Sequence, residues 1–268
     1  MSVKLIAIDL DGTLLNSYHQ ITPAVSAAVS RAKEKGLHII LTSGRPFNGI
    51  LPYLTELGLN KENCYCISNN GAVIHEAENG EPVMETPMDF EDYRYFESLA
   101  REINVHFHVL SSNEMYTANR DISYYTLMDA YLTQTQLNYC PLAEMDSEMM
   151  FSKFMMIDNP VRLNEAAGFI PQVSFDSYNI LRTAPHFVEI SAINATKGKA
   201  VALITEKLGL TPDKVMCIGD QNNDISMLEY AGVGVAMGNA AEHIKQKSGF
   251  VTTTNDEDGV AVAIQKFV

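Results

Sequence analysis

Basic residues are scarce in this chain: 19 lysines and arginines stand against 33 acidic residues, a net charge of −14 over 268 residues. That balance argues against nucleic acid or an anionic membrane surface as a partner, since both require a basic face. An anionic substrate would have to be recruited by a local cation against the overall field. Long apolar runs are missing as well. Nothing approaches membrane-spanning length, and the N-terminal apolar run is short and interrupted by Asp9, so no cleavable signal is read there. Cysteine is limited to Cys64, Cys66, Cys140 and Cys217, with no Cys-x-x-Cys pair, which excludes a disulfide scaffold and reads as reduced thiols in a cytoplasmic protein. The dinucleotide fingerprint fails too, because Gly232-Val233-Gly234 is followed by Met237 where glycine is required. No internal repeat or low-complexity tract is present.

What the chain does have is an ordinary globular composition, 46% hydrophobic and 19% charged, with a length that suggests roughly two domains. Lys4 to Leu15 (KLIAIDLDGTLL) is the stretch around which the rest is arranged. An apolar run reads as a buried strand and stops at two carboxylates, Asp9 and Asp11. Side chains at i and i+2 of a strand share a side, so both would converge beyond its C-terminal end. Such a pair needs a cation or a shared proton. Taken alone, the stretch fits a Mg²⁺ site or an Asp-Gly hairpin turn equally well.

The following segments decide between these. Thr22-Pro23 starts a helix that carries Val25, Ala28, Val29 and Ala32 on one face and ends at Gly36. Leu37–Thr42 is a second buried strand, ending in Ser43-Gly44-Arg45. Cys64–Ser68 is a third. Strand and helix alternate, which predicts a Rossmann-like parallel sheet: an α/β core. From about Glu85 the pattern changes to alternating strands with helices, including Val105–Val109, Phe151–Ile157 and strands around Val173, Ile180 and Val188. This predicts an inserted antiparallel α+β cap over residues 85–188 with one solvated sheet face, the core being 1–84 and 189–268. The βα pattern then resumes with a helix capped by Thr196 and the strand Val215–Ile218, ending in Gly219-Asp220-Gln221-Asn222-Asn223-Asp224.

Strand ends therefore carry Asp9 and Asp11, Ser43 and Gly44, and Asp220, Asn223 and Asp224. Four carboxylates in one crevice require a divalent cation, and hard oxygens suit Mg²⁺ better than zinc. Lys197 opposes the dipole of the helix it opens, which marks it as functional. Each element alone reads as well as a turn or a cap; their recurrence at strand ends does not.

Asp9-Leu10-Asp11-Gly12-Thr13, Ser43-Gly44-Arg45, Lys197 and Gly219 to Asp224 together resemble the four motifs of the haloacid dehalogenase (HAD) superfamily. The insertion resembles the type-IIB cap of its Cof subfamily, and stretches such as Tyr116–Tyr125 and Tyr230–Met237 resemble YidA-type sugar phosphatases. The resemblance implies a Mg²⁺-dependent phosphatase acting on sugar phosphates and other small phosphorylated metabolites, with no nucleic acid or membrane partner; a homodimer is compatible with it. It implies Asp9 as nucleophile, Asp11 as acid/base, and Asp9, Asp220, Asp224 and the Asp11 backbone carbonyl around Mg²⁺. Leu10, Ser43, Gly44, Lys197 and Asn223 would hold the phosphoryl oxygens. Serine at 43 stands where many relatives carry threonine, keeping the hydroxyl. A phosphosugar mutase and a phospho-Asp switch share parts of this constellation.

Within the cap, Asn119, Arg120, Asp121, Arg182 and His186 are candidates for reading the sugar, with a salt-bridged polar turn as the competing reading of 119–121; Asn70, at the core–cap junction, is a candidate for lining the site. His106 and His108 share a strand face; with no third ligand, the expectation is an exposed polar face and not zinc.

Overall fold

The computed structural model describes residues 3–111 and 114–268. The chain divides into two compact units, Met1–Val83 with Thr196–Val268, and Met84–Ala195.

In the first unit β1 (Leu5–Asp9) lies parallel to β2 (His38–Thr42), which lies parallel to β3 (Tyr65–Ser68). All five residues of β1 are buried, and their alternation explains why. Ile6 and Ile8 enter one apolar cluster, with Val25 and Ala28 of α1 (Pro23–Glu34) and Ile50 and Leu54 of α2 (Phe47–Glu56). Leu5 and Ala7 enter another on the opposite face. A strand covered on both faces must be apolar throughout, so its first carboxylate, at Asp9, coincides with its end. Thr22 caps α1 as its hydroxyl accepts from the Val25 amide, with Pro23 at the first helical position.

After β3 the residues Asn69 and Asn70 take positive φ values of 48° and 57° and reverse the chain into β4 (Val73–Glu76), antiparallel to β3, followed by β5 (Pro82–Glu85). The strand–helix alternation does not predict this antiparallel edge.

The second unit holds β6 (His106–Leu110), β7 (Glu114–Thr117), β8 (Gln136–Tyr139), β9 (Lys153–Ile157), β10 (Tyr178–Ala184) and β11 (Phe187–Ala192). Their order in the sheet is β10-β11-β9-β6-β7-β8. Pairing is antiparallel except between β7 and β8, which run parallel through the crossover helix α4 (Tyr124–Thr133). One face packs against α3 (Phe90–Glu102) and α5 (Pro160–Ala167), through Phe96, Leu99, Leu163 and Ala166 on Phe107, Phe154 and Ile190. The sequence predicts that the other face is solvated, but it is partly covered. Leu110, Met115 and Met155 pack there against Ala130 of α4.

Three further expectations change. The unit ends at Ala195 and not at 188, because β11 stays paired with β9 as far as Ile190 and with β10 as far as Ala192. Val173 lies in a short helix, α6 (Gln172–Ser177), not a strand, since Pro171 opens a helical turn. His108 is fully buried beneath α4, where Thr126 and Asp129 meet its ring nitrogens at 3.3 and 3.2 Å. A matched acid and hydroxyl satisfy a histidine inside the unit, so its polarity is no sign of exposure. His106 is half-buried and bonds Asp158 at 2.7 Å.

The chain returns to the first unit with α7 (Lys197–Lys207), β12 (Val215–Gly219), α8 (Ile225–Tyr230), β13 (Val233–Ala236), α9 (Glu242–Lys245), β14 (Phe250–Val251) and α10 (Gly259–Phe267). The completed sheet runs β14-β13-β12-β1-β2-β3-β4-β5, with α7 and α8 packed through Val201, Ile204 and Met227 on the Leu5 face. β1 sits between β12 and β2, so the C-terminal ends of these three strands are neighbours. No described helix is long and apolar enough to cross a membrane, and all four cysteines are free thiols.

Candidate active site

The ends of β1, β2 and β12 deliver the residues singled out in the sequence. Asp9 closes β1, and Asp220 and Asp224 follow β12. All three are buried, and each offers a carboxylate oxygen within 4.8 Å of the others. Lys197, at the first position of α7, is fully buried, with Nζ donating to Asp9 Oδ1 at 2.5 Å and Asp224 Oδ1 at 2.6 Å. The charge that opposes its own helix dipole is thus compensated by two carboxylates.

Burial first, then the Asp224 and Asp220 charges, raises the Asp9 pKa well above its ordinary value, against the opposing pull of Lys197. Burial and the Asp224 charge push Asp220 up to about 6, against the Thr13 hydroxyl that donates to it at 2.8 Å. Burial alone would lower Lys197; Asp224 and Asp9 outweigh it and hold the ammonium above its usual range. Three buried acids facing one ammonium leave surplus negative charge, which another cation would neutralise.

The three acids are not equivalent. Asp224 spends both oxygens within the protein: Oδ1 on Lys197, Oδ2 on the amides of Asp220 and Gln221, each at 2.9 Å. Asp9 Oδ2 is buried and has no hydrogen-bond partner among the described residues. A buried carboxylate oxygen left without a donor is costly unless a ligand reaches it. The donor set, all carboxylate oxygen, fits a hard divalent cation held by Asp9 and Asp220. Asp224 fixes the lysine and the Asp220 backbone around them.

Asp11 does not join this cluster. Arg45 Nε and Nη2 donate to its two carboxylate oxygens at 2.9 and 2.6 Å. The expectation of four converging carboxylates therefore becomes three plus one clamped apart. Gly12 takes φ +81°, and a β-carbon there would lie 2.5 Å from Asp220 Oδ2, so the turn after Asp11 admits only glycine.

Ser43 is buried, and its hydroxyl accepts from the Arg45 amide at 3.1 Å, keeping its own proton to donate. A β-carbon on Gly44 would lie 3.1 Å from Asn70 Oδ1, so this turn packs tightly on Asn70. The same Asn70 oxygen accepts from Asn223 Nδ2 at 2.8 Å, while Asn223 Oδ1 is buried without a hydrogen-bond partner among the described residues. Leu10 is buried at the β1 turn.

Two contributors escape the sequence reading. Arg45 belongs to a quoted motif, yet nothing in its spacing tells that it will grip Asp11. Asn239 donates to the Gly12 carbonyl at 2.9 Å and approaches Asp220 Oδ2 at 3.5 Å. Its location just beyond the C-terminal end of β13 is the one signal that could have found it.

The residues 6–264 match the family of haloacid dehalogenase-like hydrolases. The chain belongs to this family. It is 40% identical over 265 residues to "Putative phosphatase YxeH" of Bacillus subtilis (strain 168), spanning 99% of this chain and 98% of that protein. It is 30% identical over 268 residues to the 5-amino-6-(5-phospho-D-ribitylamino)uracil phosphatase YcsE of the same organism, spanning 100% of this chain and 97% of that one. Its fold matches the solved structure of the HAD subclass IIB sugar phosphatase BT4131 with a TM-score of 0.82 and 26% identity, covering 99% of each chain. The protein is an enzyme, a HAD-type phosphatase, and both the parallel-sheet core and the inserted unit are features shared with these relatives.

Of the candidates for reading a sugar, all lie in the second unit. Asn119 Oδ1 accepts from the Phe107 amide at 2.8 Å, Arg120 Nε donates to the Tyr139 hydroxyl at 3.3 Å, and Arg182 bonds the carbonyls of Ala184 and Pro185. His186 stacks on Tyr125.

Proposed function

We propose that this phosphatase is Mg²⁺-dependent and hydrolyses sugar phosphates and related small phosphate monoesters through an aspartyl-phosphate on Asp9. The observation that carries the reading is the asymmetry of Asp9: Oδ1 is fixed by Lys197, while Oδ2 is buried and unbonded among the described residues. A carboxylate held rigidly at one oxygen and open at the other is preorganised for an incoming electrophile.

In the first displacement a carboxylate oxygen of Asp9 bonds to phosphorus and the phosphorus–oxygen bond to the sugar breaks. The departing alkoxide takes a proton from Asp11. In the second, water attacks the same phosphorus, gives its proton to the Asp11 carboxylate, and the bond to Asp9 breaks. Splitting one hydrolysis into two displacements lowers each barrier. Asp9 and Asp220, with the Asp11 carbonyl, would hold the Mg²⁺ ion, which would supply neutralisation of the negative charge gathered there. Lys197 adds a fixed positive charge at the same place. The Ser43 hydroxyl, the Leu10 and Gly44 backbone and Asn223 are the groups suited to hold the phosphoryl oxygens, which is positioning and electrostatics.

Support for sugar phosphates comes from BT4131, and support for a phosphorylated ribityl compound from YcsE; both are alcohol monoesters that need a protonated leaving group. The test is phosphate release from hexose phosphates, a ribityl phosphate and p-nitrophenyl phosphate, with Mg²⁺ and then with EDTA. Mg²⁺-dependent release from the sugar esters is expected. Isomerised phosphosugar without free phosphate would replace hydrolysis by a mutase reaction, and a long-lived phosphoprotein with no release would replace it by a switch.

A further inference from the structure

Net acidic as it is, the chain brings three of its seven arginines to the wall of one cavity of about 750 Å³ in the second unit. The cavity is lined by Arg101 at the end of α3, Arg120 after β7 and Arg162 on α5, together with Asn104, Asn119 and Asp121. All of it belongs to Met84–Ala195. It lies where His106 begins β6, and His106 is in register with Ile157, itself opposite Phe187 at the start of β11. The chain leaves the unit from the other end of β11, past Ala192.

The guanidinium groups are poorly compensated. Glu97 engages only the Nε edge of Arg101 among the described residues. The Asp158 carboxylate is 4.0 Å from Arg162 and is spent on His106 and the Asn159 amide. Arg120 has no ion pair among the described residues; its Nε reaches the Tyr139 hydroxyl at 3.3 Å. Planar guanidinium forks with open N–H edges are suited to oxyanions. Asp121 is the single carboxylate of the lining.

We infer that this cavity, built wholly of second-unit residues and using none of the carboxylates of Asp9, Asp220 and Asp224, is a binding site for a small phosphorylated, hydroxylated metabolite. A phosphate places its charge in one compact group, where the arginines can share it. Hydroxyls elsewhere on the ligand then meet Asp121 and the Asn104 and Asn119 amides. A polycarboxylate would set some of its charge against Asp121, so it fits less well. Val105, Ala118, Pro141 and Leu142 supply apolar wall for a carbon skeleton.

The test uses the full chain with ¹³C-labelled alanine and leucine methyls, in EDTA so that ester probes are not turned over. The reporters are the Ala118 and Leu142 methyls, assigned by single substitution. Inorganic phosphate and glycerol 3-phosphate are expected to move both signals saturably, glycerol 3-phosphate at the lower concentration. The double variant Arg120→Gln/Arg162→Gln is expected to raise the half-saturation concentration at least about tenfold, since each lost charge-assisted hydrogen bond is worth that much. Its thermal midpoint should be unchanged, because Arg162 is partly exposed, Arg120 is exposed, and neither anchors the core. Signals that stay fixed throughout, that respond equally to citrate at matched ionic strength, or that titrate identically in the double variant would each overturn the inference.

Discussion

Arg45 holds Asp11 by both carboxylate oxygens, and is itself fixed by a carbonyl contact to Gly49 at 3.4 Å and by its position 5.6 Å from the Tyr53 ring centre. The group assigned to proton transfer thus has its orientation set by a neighbour on the adjoining strand-to-helix turn. Arg45→Ala is expected to slow hydrolysis of alcohol monoesters on the order of 10²-fold, the lower range of general acid catalysis. p-Nitrophenyl phosphate, whose phenolate departs without a proton, should lose far less. Comparing kcat for the two ester types checks this; an equal loss on both would make Arg45 a structural residue only.

Asp9→Asn keeps the shape and the volume of the buried side chain but removes the proposed nucleophile. Turnover should fall roughly 10⁴-fold or more, as when other catalytic nucleophiles are removed. The variant should remain folded, because Lys197 retains Asp224 and a buried repulsion with Asp224 and Asp220 is relieved. Circular dichroism melting alongside initial rates reads both outcomes.

Lys197→Met acts in the opposite sense on stability. It leaves Asp9 and Asp224 buried without their ammonium, and removing one partner of a buried pair costs about 3–5 kcal/mol. Urea unfolding at neutral pH should show that loss. Added Mg²⁺ should restore part of it, since a bound cation replaces the missing charge.

Without metal, stability should depend on pH through Asp220. Its carboxyl sits at about 6 in the folded protein, against an ordinary value of 3.8, so the folded state binds the proton more tightly than the unfolded chain. By linkage the penalty is present above pH 6 and is relieved as pH falls from there toward 4, worth up to about 3 kcal/mol. In EDTA the urea midpoint should therefore rise on acidification from pH 7 to pH 5. Saturating Mg²⁺ should flatten or reverse that trend, because a metal-held carboxylate must stay ionised.

Much of the first unit was legible because its physics is local. β1 buries both faces, so its apolar run and the carboxylate that ends it mark the strand and the site together. Thr22-Pro23 and Thr196 signal their helices by capping chemistry that a single sequence displays. The four motifs pointed to residues that the fold gathers at neighbouring strand ends, but not to how those residues pair with one another. Whether Asp11 joins the other acids depends on Arg45, 34 positions away, and whether Asp224 faces outward depends on the amides of Asp220 and Gln221. The second unit was harder for the same reason. His108 reads as polar surface until α4 brings Asp129 and Thr126 over it, and β11 reads as shorter than it is until its partners β9 and β10 are known. The three cavity arginines at 101, 120 and 162 are far apart in sequence and come to one cavity only in the folded unit.

The stereochemical course at phosphorus tests the central claim most directly. A phosphorothioate monoester made chiral with oxygen isotopes, hydrolysed in isotopic water, reports whether one or two displacements occur, regardless of how briefly an intermediate lives. Two in-line displacements, onto Asp9 and then onto water, predict overall retention of configuration. Inversion would mean that water attacks the substrate directly, and Asp9 would then not be the nucleophile.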